Sequence, residues 1–169
     1  LQGGSDTPDA DLQNAMEDEA VSLLTAAGFE HYEISNYSRP GYACRHNRLY
    51  WQGDEYLGLG PSAQSYLDGC RFGNIEDLLT YHRTLEFGNL PIQERERLTP
   101  EQRRREAIVF GLRLIEGTDL GIVQETMDRT WAQVFDRLMD QGLLEERSDR
   151  VRMTEQGRRF ADFIAVALF

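Results

Sequence analysis

Basic charge is scarce in this chain. Lysine and arginine number 18 against 29 aspartate and glutamate, a net charge of −11 over 169 residues. A surface of that sign does not neutralise phosphates, so neither nucleic acid nor an anionic membrane face is expected as a partner. Long apolar runs are missing too: no stretch approaches the roughly 18 residues that a membrane span needs. The opening segment, Leu1 to Pro8, lacks the basic and apolar regions of a signal peptide and reads as a linker or an appended tail. Cysteine is limited to Cys44 and Cys70. A disulfide scaffold is not expected in a chain of this length, and two distant thiols fall short of the three or four closely spaced ligands of a typical cluster or zinc site. A reduced cytoplasmic protein is the simple expectation.

What remains supports a folded α+β chain, with 40% hydrophobic residues and no sign of disorder. Residues 9 to 27 have helical periodicity, with Asp9 as N-cap and Gly28 placed to end the helix. Phe29 to Tyr37 follows as one strand, with Tyr32, Ile34 and Asn36 on a shared face. Helix, glycine and strand form the joint of an α/β unit. Arg39-Pro40-Gly41 breaks the strand, and a long loop runs to Trp51. Glu55 to Leu59 suits another strand, and residues 65 to 74 a hairpin. Ile75 to Phe87 is expected as a helix with Leu78, Leu79, His82 and Leu85 periodic. The polar segment from 89 to 99 suggests a boundary between a unit of residues 1–90 and one of 99–169.

The second unit follows a different pattern. Thr99 caps a helix from Pro100 to Ile115, a short helix spans Leu120 to Thr126, and Thr130 caps a third. Leu143 to Arg147 and Arg150 to Thr154 alternate as a wing-like hairpin, and a last helix reaches Leu168. The result is a helical, winged-helix-like domain. Its second main helix, where a recognition helix would lie, carries Asp136 and Asp140 against Arg137, which disfavours DNA binding. The Gln102 to Glu106 run reads as a solvent-facing helix, and His31 and His82 as structural.

The segment from Glu33 to Trp51 carries the most chemistry. It ends in His46-Asn47-Arg48-Leu49-Tyr50-Trp51. An imidazole ligates iron and moves protons near neutral pH. Tyr50 and Trp51 supply flat faces for a planar ring, Asn47 can orient His46, and Arg39, Arg45 and Arg48 can pair with carboxylates. A porphyrin with acidic edges matches that set. The alternative is structural: Tyr50 and Trp51 as core aromatics, with His46 and Asn47 tying a loop. Gly58 and Gly60 either let backbone approach a cofactor or make an ordinary turn.

The run from Tyr32 to Gly41, then Cys44-Arg45-His46-Asn47-x-x-Tyr50-Trp51, resembles the signature of the oxygen-independent coproporphyrinogen III oxidase-like radical SAM proteins. Within them it is most similar to the heme-chaperone branch, the HemW-like proteins. Tyr56 to Ala63, Leu143-Leu144-Glu145 and Met153-Thr154-x-x-Gly157-Arg158 fit the same family. The resemblance implies the tail of a partial (β/α) radical SAM barrel followed by the winged-helix-like domain. It implies heme binding, with His46 as a possible iron ligand, and delivery to an apo-haemoprotein. The alternative is an oxidase that decarboxylates two propionates of coproporphyrinogen III. In either case the [4Fe–4S] cluster and S-adenosylmethionine belong to a CxxxCxxC region absent from these residues, so no radical activity is expected of them alone. Many relatives carry His where this chain has Gln64, and an amide does not replace imidazole as an iron ligand.

Overall fold

A computed structural model describes residues 8–169; the linker reading of the opening segment lies outside them, apart from Pro8. Helix α1, Ala10–Ala26, starts where the Asp9 carboxylate accepts the Leu12 N–H at 2.8 Å. It stops at Gly28, which takes a left-handed φ of 82°. No residue of α1 is buried.

The strand expected from Phe29 to Tyr37 is instead a hairpin, β1 (Glu30–Glu33) against β2 (Asn36–Ser38). The cause is Glu33. Its carboxylate, almost wholly buried, accepts the Ser35 N–H at 3.0 Å and the Asn36 side-chain amide, and so reverses the chain at Ile34-Ser35. The long loop also proves partly helical: α2 covers Arg45–Trp51 and contains the whole His46 to Trp51 motif. Helical φ and ψ there bring residues four apart onto one face.

Three antiparallel strands follow in the order β3-β4-β5: Gln64–Leu67, Cys70–Asn74 and Ile92–Arg97. Asp68 and Gly69, at φ 49° and 71°, form the tight turn between the first two. The segment read as a boundary is therefore a strand in its central part. The strand expected over Glu55 to Leu59 is reduced to one bridge, Tyr56 to Tyr66. Helix α3, Leu78–Glu86, is shorter than expected, and its periodic leucines 78, 79 and 85 face outward.

The remainder comprises α4 (Pro100–Gly111), β6 (Thr118–Asp119), α5 (Leu120–Thr126), α6 (Arg129–Asp140), β7 (Leu144–Arg147), β8 (Arg150–Met153), α7 (Glu155–Arg159) and α8 (Ala161–Leu168). The small sheet has the order β6-β8-β7. The order is helix, strand, two helices and a hairpin, followed by two short helices. Thr99 and Gln102 form a reciprocal capping box on α4. Asp128, rather than Thr130, caps α6 by accepting the Trp131 N–H at 2.8 Å. The expected closing helix breaks at Phe160 into α7 and α8.

The core lies here. Ile108, Leu112, Leu138, Val151 and Ile164 are essentially inaccessible, and Trp131 donates its indole N–H to the Leu168 carbonyl at 3.0 Å. Thr154 accepts the Gly157 N–H and donates to the Gly142 carbonyl, while a Cβ on Gly157 would lie 1.9 Å from the Leu143 carbonyl oxygen. That close approach is the physical content of the Thr154-x-x-Gly157 pattern.

Candidate functional site

Helix α2 lies against α4 through aromatic side chains. The Tyr50 ring meets Trp51 edge-on at 5.2 Å, Tyr56 at 4.8 Å and Phe110 at 5.8 Å. Trp51 adds Phe110 at 6.3 Å, and the Arg113 guanidinium covers its ring at 4.6 Å. Contacts of this kind add to the burial of apolar area. The two aromatics of the motif are therefore half-buried and partly engaged in holding α2 in place. The Trp51 indole nitrogen is buried with no hydrogen-bond partner among the described residues.

His46, near the start of α2, is exposed. Asn47 donates to the Tyr32 hydroxyl at 3.4 Å and so links α2 to β1. Arg48 pairs with Glu116 at 3.1 Å. Arg39 is exposed and lies over the Phe29 ring at 5.4 Å, and Arg45 is exposed with no ion pair among the described residues. His31 stacks on Tyr37 at 4.2 Å, in keeping with a structural role, whereas His82 is exposed beside Glu86.

Gly58 and Gly60 are engaged within the turn itself. Their N–H groups donate to the Ser65 hydroxyl at 2.9 Å and the Tyr81 hydroxyl at 3.1 Å, and the buried Asn74 amide donates to both of their carbonyls. A Cβ on Gly58 would lie 2.2 Å from the Gln64 carbonyl. These glycines serve a tight turn rather than presenting free amides to a cofactor.

A cleft of about 440 Å³ opens between the three-stranded sheet, α2 and α4. Tyr50 is the one residue of the expected site that lines it, together with Gln64; His46, Asn47, Trp51, Arg39 and Arg45 lie elsewhere. On its sheet wall Tyr66 and Arg71 are directly opposed across β3 and β4, and Arg71 is opposed to Glu96 across β5. From α4, Arg103, Glu106, Ala107 and Phe110 form one helical stripe facing in. Arg71 bridges the walls by pairing with Glu106. Burial works against the Arg71 charge, but the Glu106 carboxylate outweighs it and raises the pKa above the ordinary arginine value. The Tyr56 phenol is also pushed well above its usual value, first by burial and then by its hydrogen bond with Tyr50, so it stays protonated. Sequence reasoning missed Tyr66, Arg71 and Glu106. Strand alternation across the expected hairpin offered a signal for the first two, whereas Glu106 had none.

The two cysteines, exposed Cys44 and half-buried Cys70, are both free. No group of three or more His, Cys, Asp or Glu among the described residues is arranged to hold a metal ion. No described helix is long and apolar enough to cross a membrane.

Comparison with known proteins extends these observations. The HemN C-terminal domain family matches residues 98–160. A protein named heme chaperone HemW from Synechocystis is 44% identical over 115 residues, covering 66% of this chain and 25% of that protein. The heme chaperone HemW of Mycobacterium tuberculosis is 34% identical over 162 residues, covering 95% of this chain and 40% of its own length. This chain thus spans well under half of the curated relatives it matches. Among solved structures, the Escherichia coli coproporphyrinogen III oxidase HemN, described as a radical SAM enzyme, superposes with a TM-score of 0.75. It has 17% identity, covering 97% of this chain and 42% of that one.

Proposed function

Because this chain belongs to the HemN/HemW-like radical SAM family and corresponds to its C-terminal portion, we propose that it is part of a heme chaperone. The intact protein binds heme or a related porphyrin and passes it to apo-haemoproteins. One observation carries this reading: His46-Asn47-x-x-Tyr50-Trp51 folds into a single helix that is anchored on one side and leaves the imidazole open. Tyr50 and Trp51 grip α4, Asn47 ties the helix to Tyr32, and His46 stands exposed to meet iron. Arg39, ahead of the helix, and Arg45, its first residue, are both exposed, and in this reading they pair with propionates. In this reading Tyr50 and Trp51 hold the platform and offer the ring only their free edges.

The two cysteines do not fit a [4Fe–4S] cluster, so no step through a cluster or S-adenosylmethionine is assigned to these residues. The oxidase alternative rests on the HemN likeness, which at 17% identity is a likeness of fold. The relatives at 44% and 34% identity are both named as chaperones, and this favours heme transfer over decarboxylation.

A hemin titration followed at the Soret band tests the assignment, on this chain and on the intact protein. His46→Ala is expected to change the band and weaken binding at least about tenfold. An unchanged spectrum and affinity in the intact protein would remove His46 as the ligand. Transfer of bound hemin to an added apo-haemoprotein separates a chaperone from a protein that only stores heme. Conversion of coproporphyrinogen III under anaerobic conditions would instead favour the oxidase.

A further inference from the structure

Helix α2 is seven residues long, has no side-chain cap and has no buried residue. A helix that short does not hold itself in water, so its direction is decided by what its side chains grip. Packing of Tyr50 and Trp51 on Phe110 keeps it near α4, but apolar burial is non-directional and does not fix rotation about the helix axis. Two further contacts are directional. The Arg48 guanidinium pairs with Glu116 at 3.1 Å, and the Arg113 guanidinium lies over the Trp51 ring at 4.6 Å. Arg48 and Trp51 are three apart on α2 and so are neighbours on its surface. Arg113 and Glu116 are likewise three apart, on the segment after α4. The charges forbid the reverse pairing, since a ring face attracts a cation and not an anion.

The segment that carries Arg113 and Glu116 is a fixed reference. The Arg113 carbonyl accepts the Ile34 N–H at 3.1 Å, and the Ile115 N–H donates to the Tyr32 carbonyl at 3.2 Å. Leu114, which is buried, bridges to Glu33. Arg150 donates to the Glu116 and Gly117 carbonyls at 2.9 and 2.6 Å. Gly117 has φ 76°, and a Cβ there would lie 2.1 Å from the Val151 carbonyl oxygen, so the backbone is pressed against β8. Arg113 also lies 3.9 Å from Asp162, a fully exposed carboxylate that water screens. At about 100° per residue, Arg48 and Trp51 lie about 200° and about 140° around the axis from His46. They bracket the point opposite it. Holding that back face turns His46 outward, in keeping with its exposure.

We propose that Arg113 and Glu116 are positioning residues for the His46 to Trp51 motif. Glu116 through Arg48, and Arg113 through Trp51, fix the rotation of α2 and with it the direction in which His46 presents its imidazole. The functional meaning of that direction rests on the reading of His46 as an iron ligand; the positioning of α2 does not. An exposed ion pair adds little to stability, so the effect belongs to orientation and ligation rather than to melting temperature.

Glu116→Arg, which sets a like charge against Arg48, and Arg113→Gln test this on the 169-residue chain, with Glu116→Gln as a milder variant. Neither position lies on α2, so backbone amide shifts of the helix report on it with its own sequence unchanged. The shifts are expected to reach Arg45 and His46 at the far end of α2, while the melting temperature stays within about 2 °C of the parent. Hemin affinity followed at the Soret band should fall about fivefold. The swapped pair Arg48→Glu with Glu116→Arg should recover it to within about twofold. Shifts confined to Arg48 and Trp51, a parallel loss of melting temperature, or a swapped pair no better than Glu116→Arg alone would each overturn the proposal. If hemin binding by the parent does not depend on His46, the heme reading fails and the amide shifts alone decide the positioning. If it does, and the variants leave shifts and affinity unchanged, the positioning fails and the heme reading stands.

Discussion

The region before residue 98 and the region after it are built differently. After it, fourteen buried residues from Ile108 to Leu168 form one continuous core, closed by α4, α5, α6, α8 and a small sheet. Before it, Tyr66 is the one buried large hydrophobic among the described residues outside Leu98 itself, and neither α1 nor α3 buries any residue. Most leucines of α1 and α3 recur at helical spacing but face outward: Leu23 is 61% exposed, and Leu78 and Leu79 are each 66% exposed. Apolar stripes of this size are normally covered. Periodicity thus marks which face of a helix is to be buried, not which chain buries it. The second region supplies its own cover. The first carries stripes suited to a larger body, in keeping with a chain that spans 25% to 40% of its relatives.

The strongest way to break this comparison is to remove core volume. Leu138 is wholly buried on α6, so Leu138→Ala is expected to cost about 3 kcal/mol through lost transfer energy and the cavity left behind. Urea unfolding measures this, and a loss below about 1 kcal/mol would mean that the core relaxes freely around the gap. Gly157→Ala tests the same core by overfilling it. The new methyl would meet the Leu143 carbonyl at 1.9 Å, so α7 or the backbone at Leu143 must shift, at an expected cost of about 1–3 kcal/mol. A variant as stable as the parent would show that α7 is not held closely to the Leu143 backbone.

The contrast also explains which parts of the fold were legible in the sequence. In the second region local signals and tertiary demand agree. Thr99 and Pro100 open α4, the 120–126 helix has its expected bounds, and the hairpin around Ser148-Asp149 forms. Errors there concern caps and breaks, as with Asp128 in place of Thr130. In the first region the errors are larger because side chains acting across the chain decide. Glu33 turns one expected strand into a hairpin, and pairing with β4 makes a strand of a polar segment rich in charge. The His46 to Trp51 motif was legible as residues but not as a helix, because Cys44 offers no side-chain cap to announce it. The cleft was not legible at all, since it joins residues 50, 66, 71 and 106 from four separate elements.

A smaller effect sharpens the comparison through pH. The Asp128 carboxyl is held below the usual aspartate range, first by the Trp131 backbone N–H it accepts, against desolvation, and then by its hydrogen bond and charge attraction to Arg105. A lowered native pKa favours the folded state above the unfolded value, near about 3.9. That contribution is lost as pH falls through the lower native pKa. Asp128→Asn, which retains a capping oxygen but not the charge, should therefore be less stable than the parent at pH 7 and converge with it in acid. Equal melting temperatures at pH 7 would assign the whole effect to the cap hydrogen bond, with none to charge.

The smallest expected effect is the most telling about the first region. Leu79 on α3 is 66% exposed, so Leu79→Ala should change the stability of this chain by no more than about 0.5 kcal/mol. Leucine and alanine are both good helix formers, so propensity adds little to the difference. The same substitution in the intact protein should cost more if that stripe is covered there. A large cost in this chain alone would mean that α3 is already covered in solution, with a second copy the available partner. In that case unfolding would become concentration-dependent, and the comparison between the two regions would be one of assembly rather than of missing cover.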